Sequence, residues 1–471
     1  MLEITTHATL RGQMVSNVGG ALRRFLPAGG VLLSVLLFGN YAMGQLRDRI
    51  FAQTFGAGAE LDAYNAAFVL PELLLDVLVA SGLAAPFIPI FLQLRGEERQ
   101  RANAFGQTIL TGAVLVMTGV SVVLFIFAQQ TTALIAPSLD AEQQELYTSL
   151  FRVMLVTPII FAASLSIGDV LLAERRFLTY GIAPLLYNAG IIIGTLALGA
   201  TLGIYAAAIG AILGALLHLA IRLLGLRGTG FRPRFRLEST PAVGEFVRLM
   251  LPKMISHPVE PMTFLFFTSV ASGLAEGSIS SVSFARNYQS AAVSIVGVGF
   301  ALAAFPALSS AFADADRRGF MRALFANLTT ILTLTTAAAL VLYALSTFII
   351  ELFLGGGAFD AEDVATTALI LSAFTISIPL ESVTHLLSRA IYATHHTLLQ
   401  VFSSLAGFGV TVAATLLLVP SAGVVAIPLG FAIGQAVKVA LLAVSLAIRL
   451  RAFPPLHLVG STTTNSPSRS G

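Results

Sequence analysis

The sequence predicts an all-α polytopic membrane protein with about 12 transmembrane helices, and three observations carry that expectation. Of its 471 residues, 56% are hydrophobic and 11% are charged, against roughly 25% charged in a soluble domain. The mean hydropathy of +0.86 requires that most apolar surface be buried in lipid, which excludes both a soluble fold and a disordered chain. The apolar residues also come in runs of bilayer length, at about 28–46, 61–94, 107–128, 148–172, 181–202, 204–224, 246–271, 282–311, 323–350, 366–391, 398–420 and 423–448. The second run is too long for one straight crossing. With Pro71, Ser81, Gly82, Pro86 and Pro89 it is expected to bend or break, as is the seventh with Pro252, Pro258 and Pro261.

There is no cysteine, so thiolate chemistry, disulfides and Cys-ligated metals fall away. No other metal site or cofactor is indicated. No nucleophile, base and orienter triple stands out, so the chain does not read as an enzyme. The net charge of +3 comes from 27 basic residues, of which only Lys253 and Lys438 are lysines. The 25 arginines are scattered between apolar runs, which sets topology rather than a nucleic-acid surface. Arg286 lies inside a span, and Arg47, Arg49 and Arg152 fall opposite residues 1–27, leaving 21 on the same side as that segment. Loops on the other side carry Asp140, Glu142, Glu145, Glu351, Asp360, Glu362 and Asp363. Positive-inside asymmetry therefore puts both termini in the cytoplasm and the chain, multi-pass, in the inner (cytoplasmic) membrane.

A weak repeat recurs at an offset of about 215–227 residues: Gly203 to Ala207 with Ile221-Arg222-Leu223 echoes Gly423 to Ile427 with Ile448-Arg449-Leu450. Six helices per repeat preserve orientation, giving two parallel six-helix lobes, residues 1–225 and 246–450. The polar stretch 226–245 links them, and 451–471 is a polar tail.

Ionisable groups at membrane depth cost about 2.5–3.5 kcal/mol each, so each marks a candidate site. Glu72 and Asp76 lie at i, i+4; Lys253, His257 and Glu260 at i, i+4, i+7; Glu381, His385 and Arg389 at i, i+4, i+8; Arg286 stands in the eighth run. Adjacent carboxylates such as Glu72 and Asp76 need a cation, a proton or an arginine, whereas the Glu381 face reads as an ion pair near a helix end where side chains snorkel. Asp169 sits in the fourth run and Lys438 in the twelfth, the latter read as structural. Gly355-Gly356-Gly357 reads as a turn, and His395-His396 as solvated loop.

Gly44-Gln45-Leu46-Arg47-Asp48, Phe55-Gly56-Ala57-Gly58 with Asp62-Ala63, Leu70-Pro71-Glu72-Leu73-Leu74 and Pro86-Phe87-Ile88-Pro89 resemble the opening of the lipid II flippase family, MurJ (MviN). Val156-Thr157-Pro158, Ala183 to Asn188, and Gly355 to Phe359 extend the likeness. The resemblance implies an exporter-superfamily fold, two six-helix lobes around a central cavity open alternately to either side. It implies transport of a lipid-linked cell-wall precursor, with membrane lipid, that precursor and cell-wall synthesis proteins as partners. Tyr41 replaces the family's first arginine, and Leu75 with Asp76 replaces an arginine pair. Aligning on Tyr288-Gln289 keeps the helix-8 arginine as Arg286, whereas aligning on Ala285 puts Asn287 there.

The leading expectation is a flippase-like transporter of a polyprenyl-diphosphate-linked precursor. Arg47, Lys253 and Arg286 would bind its phosphates, since a guanidinium fork matches phosphate oxygens. Asp48, Asp62, Glu72, Asp76 and Glu260 would pair these cations or carry a coupling ion, Na+ or H+. Two alternatives stay open, a cation-coupled exporter of small amphiphilic cations and a transport-inactive envelope scaffold.

Overall fold

The computed structural model describes residues 28–77, 84–256, 259–394 and 396–451. Ser81, Gly82, His257, Pro258, His395 and the tail 452–471 lie outside the described residues. Among the described residues the chain is helical, with one isolated bridge between Gly356 and Phe359 in the Gly355–Gly357 turn. Every expected apolar run falls on a helix or on a pair of helices.

Helix α1, Ala28–Phe55, extends beyond the expected end of the first run. Arg47, Asp48 and Arg49 thus lie inside it rather than closing it. The Arg47–Asp48 pair at 2.7 Å keeps local charge near neutral, and the helix stops at Gly56, whose φ of +67° suits glycine. The described parts of the second run lie on α2, Ala59–Leu75, and α3, Ala84–Glu97, with buried Pro71 inside α2; the break expected at Ser81 and Gly82 lies outside the described residues. Next come α4, Arg99–Ile126, and a short α5, Ala128–Ile135. The fourth run is α6, Ala141–Met154, with α7, Val156–Ala173. Then follow α8, Phe177–Leu202, and α9, Tyr205–Gly225. The described parts of the seventh run are α10, Pro241–Ser256, and α11, Val259–Ala271, and their junction at His257 and Pro258 lies outside the described residues.

The eighth is α12, Ser278–Ala292, a π-helical turn at Val293–Val298, and α13, Gly299–Ala313. After α14, Arg317–Ala344, and α15, Ser346–Phe353, the tenth run departs from one straight helix. It is α16, Ala361–Phe374, and α17, Ser377–Ala393, bent by 42°. Pro379 lacks the N–H that would bond the Thr375 carbonyl, which instead accepts from Ile378 at 3.2 Å. Helices α18, Thr397–Ala422, and α19, Ala426–Arg451, complete the chain.

Contacts gather these helices into two compact units. The described parts of the first fall within Met1–Ile50, Pro71–Ala128 and Thr148–His257, and those of the second within Phe51–Leu70, Gln129–Tyr147 and Pro258–Gly471. Phe87, Phe91, Phe105 and Phe246 form the aromatic centre of the first. Phe267, Phe374 and Phe431 form that of the second.

The sequence repeat is visible in local geometry 220 positions apart. Gly203 ends α8 at φ 53°, ψ −136°, and Gly423 ends α18 at φ 54°, ψ −134°. The Thr157 hydroxyl donates to the Met154 carbonyl left bare by Pro158, and Ser377 donates likewise to Phe374, at 2.8 and 2.7 Å. Helix α8 packs on α9 through Gly190 and Gly194 against Gly214 and Gly210, where an added Cβ would overlap the opposing backbone. Helix α18 packs on α19 through Thr411 and Thr415 against Gly434 and Gly430. Small residues here bring helix backbones together where lipid gives no hydrophobic drive. Gly214→Ala is therefore expected to cost about 1–3 kcal/mol, read as a lower thermal midpoint in detergent. Gly119→Ala, whose Cβ would meet nothing within 4 Å, should be neutral or stabilising by up to about 1 kcal/mol.

Candidate functional site

Within the first unit, polar groups of α1 and α8 converge on Arg47. Its Nε and Nη2 donate to Asp48 Oδ1 at 3.0 and 2.7 Å, and Nη1 donates to Asn188 Oδ1 at 3.2 Å. Asn188 in turn donates to Asn40 Oδ1 at 3.0 Å. The fork is thus oriented by two helices while a quarter of the Arg47 side chain stays exposed. Glu72 and Asp76 are exposed, one turn apart, and Arg47 and Asp76 are the charges that act on Glu72. Of the larger set that the sequence reading placed together, Arg47, Asp48, Glu72 and Asp76 act on one another within the first unit. Asn40 and Asn188 were missed as site residues; amides inside otherwise apolar runs were the available signal.

The other expected residues go elsewhere. Arg286 in α12 is buried and makes a bidentate pair with Glu381 in α17, both bonds 2.9 Å. Gln289 contacts Arg286, donates to Glu381 Oε2 at 2.7 Å and to Ser377 Oγ at 3.1 Å. Phe264 and Phe431 cover the guanidinium at 5.5 and 4.9 Å. Position 286 rather than 287 thus points inward, and Arg286 pairs with a carboxylate across helices instead of presenting a fork to ligand. Glu381 likewise finds its partner on α12 rather than in a snorkelling helix end.

Asp62, expected to pair a cation, is buried and accepts from Gly277 N at 2.8 Å, Ser280 N at 2.8 Å and Ser280 Oγ at 2.6 Å. It caps the start of α12 from another helix, and Glu276 returns the favour by accepting from Ala59 N at 2.9 Å at the start of α2. Lys253 falls in α10 and Glu260 in α11; their side chains, and His257 between them, lie outside the described residues.

A further buried cluster was not anticipated. Arg222, counted above as a cytoplasmic topology charge, folds inside the first unit with 2% exposure. Its Nη1 donates to the Ser164 carbonyl at 2.8 Å, and its Cζ lies 4.9 Å from the Tyr180 ring. Ser164 Oγ meets His218 Nδ1 at 2.7 Å. Buried Asp169 on α7 acts electrostatically on this guanidinium.

The sequence profile of the family described as lipid II flippase MurJ matches residues 51–462. The chain belongs to the lipid II flippase MurJ family. A "Probable lipid II flippase MurJ" of Thermotoga maritima is 30% identical over 370 residues, 77% of this chain and 73% of that protein. The "Lipid II flippase MurJ" of Burkholderia cenocepacia is 24% identical over 416 residues, 86% of this chain and 81% of that protein. Among solved structures, "Lipid II flippase MurJ, inward closed conformation" aligns with a TM-score of 0.78 at 23% identity, covering 88% of this chain and 87% of that one. An inward-facing multidrug-resistance MATE transporter of the MOP superfamily aligns at 0.75 and 15% identity, covering 88% and 95%. The fold is therefore that of multi-pass MurJ and MATE transporters.

Proposed function

We propose that this protein flips a polyprenyl-diphosphate-linked cell-wall precursor of the lipid II type by alternating access, with no covalent chemistry. The observation that carries this reading is the family match over residues 51–462. The headgroup would cross through a polar cavity while the tail stays in lipid. Arg47 binds phosphate through its exposed edge, held by Asp48 and Asn188. Lys253 assists it. A coupling cation, Na+ or H+, would sit at Glu72 and Asp76, two exposed carboxylates one turn apart. Both termini lie in the cytoplasm of a cell bounded by this inner membrane, and cell-wall synthesis proteins are the partners on the same pathway.

In a strain depleted of its own flippase, Arg47→Ala is expected to abolish complementation while the protein stays in the membrane. Arg47→Lys should rescue only in part, because an ammonium cannot reproduce three oriented N–H bonds. A leaflet assay of lipid-linked precursor checks both. Full activity of Arg47→Ala would sink the phosphate role. Full activity of Arg47→Ala alongside loss in Glu72→Gln or Asp76→Asn would instead favour the cation exporter.

A further inference from the structure

The linker between the sequence halves is not a loose loop. Along α4, Arg99, Asn103, Gln107 and Thr111 recur every four residues and each bonds the linker backbone. Arg99 donates to Thr229 O, Asn103 to Gly230 O at 3.1 Å, and Gln107 to Arg232 O at 2.7 Å, while Thr111 Oγ1 accepts from Arg236 N at 3.1 Å. The 12 steps along α4 from Arg99 to Thr111 rise about 18 Å, which the seven steps from Thr229 to Arg236 span only when nearly extended. An extended strap alternates its side chains, so Arg232, Arg234 and Arg236 share one side.

Two hollows adjoin along this strap, both within the first unit. The outer one, about 380 Å³, is lined by Arg232, Arg234 and Arg236 with Asn103 and Gln107. Arg236 is paired with Glu238, whereas Arg232 and Arg234 are exposed and have no acidic partner among the described residues. The deeper hollow, about 570 Å³, lies between α4 and α10 and is walled by Gly112, Ala113, Met117, Phe246, Met250 and Met254. Thr108 lines it too, 6% exposed, with its hydroxyl unpartnered among the described residues. Phe235, 78% exposed beside the arginines, is an aromatic of the kind that anchors at the headgroup level.

We propose that this slot holds one anionic phospholipid. Arg232 and Arg234 take its phosphate, and one acyl chain enters the groove between α4 and α10. A cationic hollow at Arg232 and Arg234 and, next along the strap from Arg236 to Leu237, an apolar hollow between α4 and α10 complement a lipid with a charged head and a long tail. Neither a soluble anion, which leaves the groove empty, nor a neutral lipid, which leaves two guanidinium groups unanswered, fits both ends.

The test uses the full chain in neutral detergent, titrated with phosphatidylglycerol or phosphatidylcholine and read by thermal midpoint and by lipid adducts in native mass spectrometry. Phosphatidylglycerol should bind and stabilise, and phosphatidylcholine should not. Arg232→Gln with Arg234→Gln should weaken phosphatidylglycerol binding about tenfold or more, the scale of lost charge-assisted hydrogen bonds. Gly112→Leu, placed where an added Cβ meets nothing within 4 Å, should fill the groove and weaken binding with the arginines intact. Inorganic phosphate should not compete. Equal response to both lipids, unchanged binding in either variant, competition by phosphate, or preference for a polyprenyl phosphate over phosphatidylglycerol overturns the proposal.

Discussion

Glu381→Ala is expected to lower the stability of the second unit by about 3–5 kcal/mol, the range for breaking a buried ion pair by removing one partner. Arg286 would be left with 4% side-chain exposure, with neither the bidentate acceptor nor water to satisfy it. The remaining neighbours cannot compensate, since Phe264 and Phe431 offer ring faces and Gln289 a single amide oxygen. Arg286→Ala should cost a similar amount by stranding Glu381. The double change Arg286→Leu with Glu381→Leu should recover most of the loss, because a buried pair stabilises little relative to well-packed apolar residues. Thermal unfolding of the purified chain in detergent measures all three. Single variants as stable as the parent would mean that water or a neighbouring group already shares the charge.

The pattern of spans was legible because bilayer length is a local property: a run of apolar residues states it without reference to any other run. The prolines of runs 2 and 7 are local signals too, but the junctions expected at Ser81–Gly82 and at Pro258 lie outside the described residues. The bend at Thr375–Ile376 was missed although Pro379 was in view, because one proline near a helix start is tolerated and only packing decides whether the helix turns. What could not be read locally was partnership. Arg286 and Glu381 stand 95 residues apart, and nothing in either helical face names the other. Arg222 obeyed the positive-inside count yet turned inward, since Ser164 and Tyr180 on other helices receive it. Glu72 and Asp76, like charges one turn apart, demand a cation, a proton or an arginine, but the sequence does not say which; Arg47 acting on Glu72 is visible only in the structure.

Asp62→Ala is expected to destabilise by on the order of 3 kcal/mol, because two buried backbone donors, Gly277 N and Ser280 N, lose their acceptor and each orphaned group costs about 1–3 kcal/mol. The Ser280 hydroxyl, 2.6 Å from the same oxygen, loses its partner too. Asp62→Asn should fall between, since an amide offers one acceptor oxygen and turns a donor toward the other amide. Glu276→Ala is the control. Its bond to Ala59 N is exposed, where water replaces the carboxylate, so the cost should stay within about 1 kcal/mol. Hydrogen exchange of residues 275–284 reads the cap directly: Asp62→Ala should accelerate exchange at Gly277 and Ser280, and Glu276→Ala should leave them protected. The caps tie the start of α2 to the start of α12 within the second unit. Unchanged exchange in Asp62→Ala would show that the cap does not hold α12.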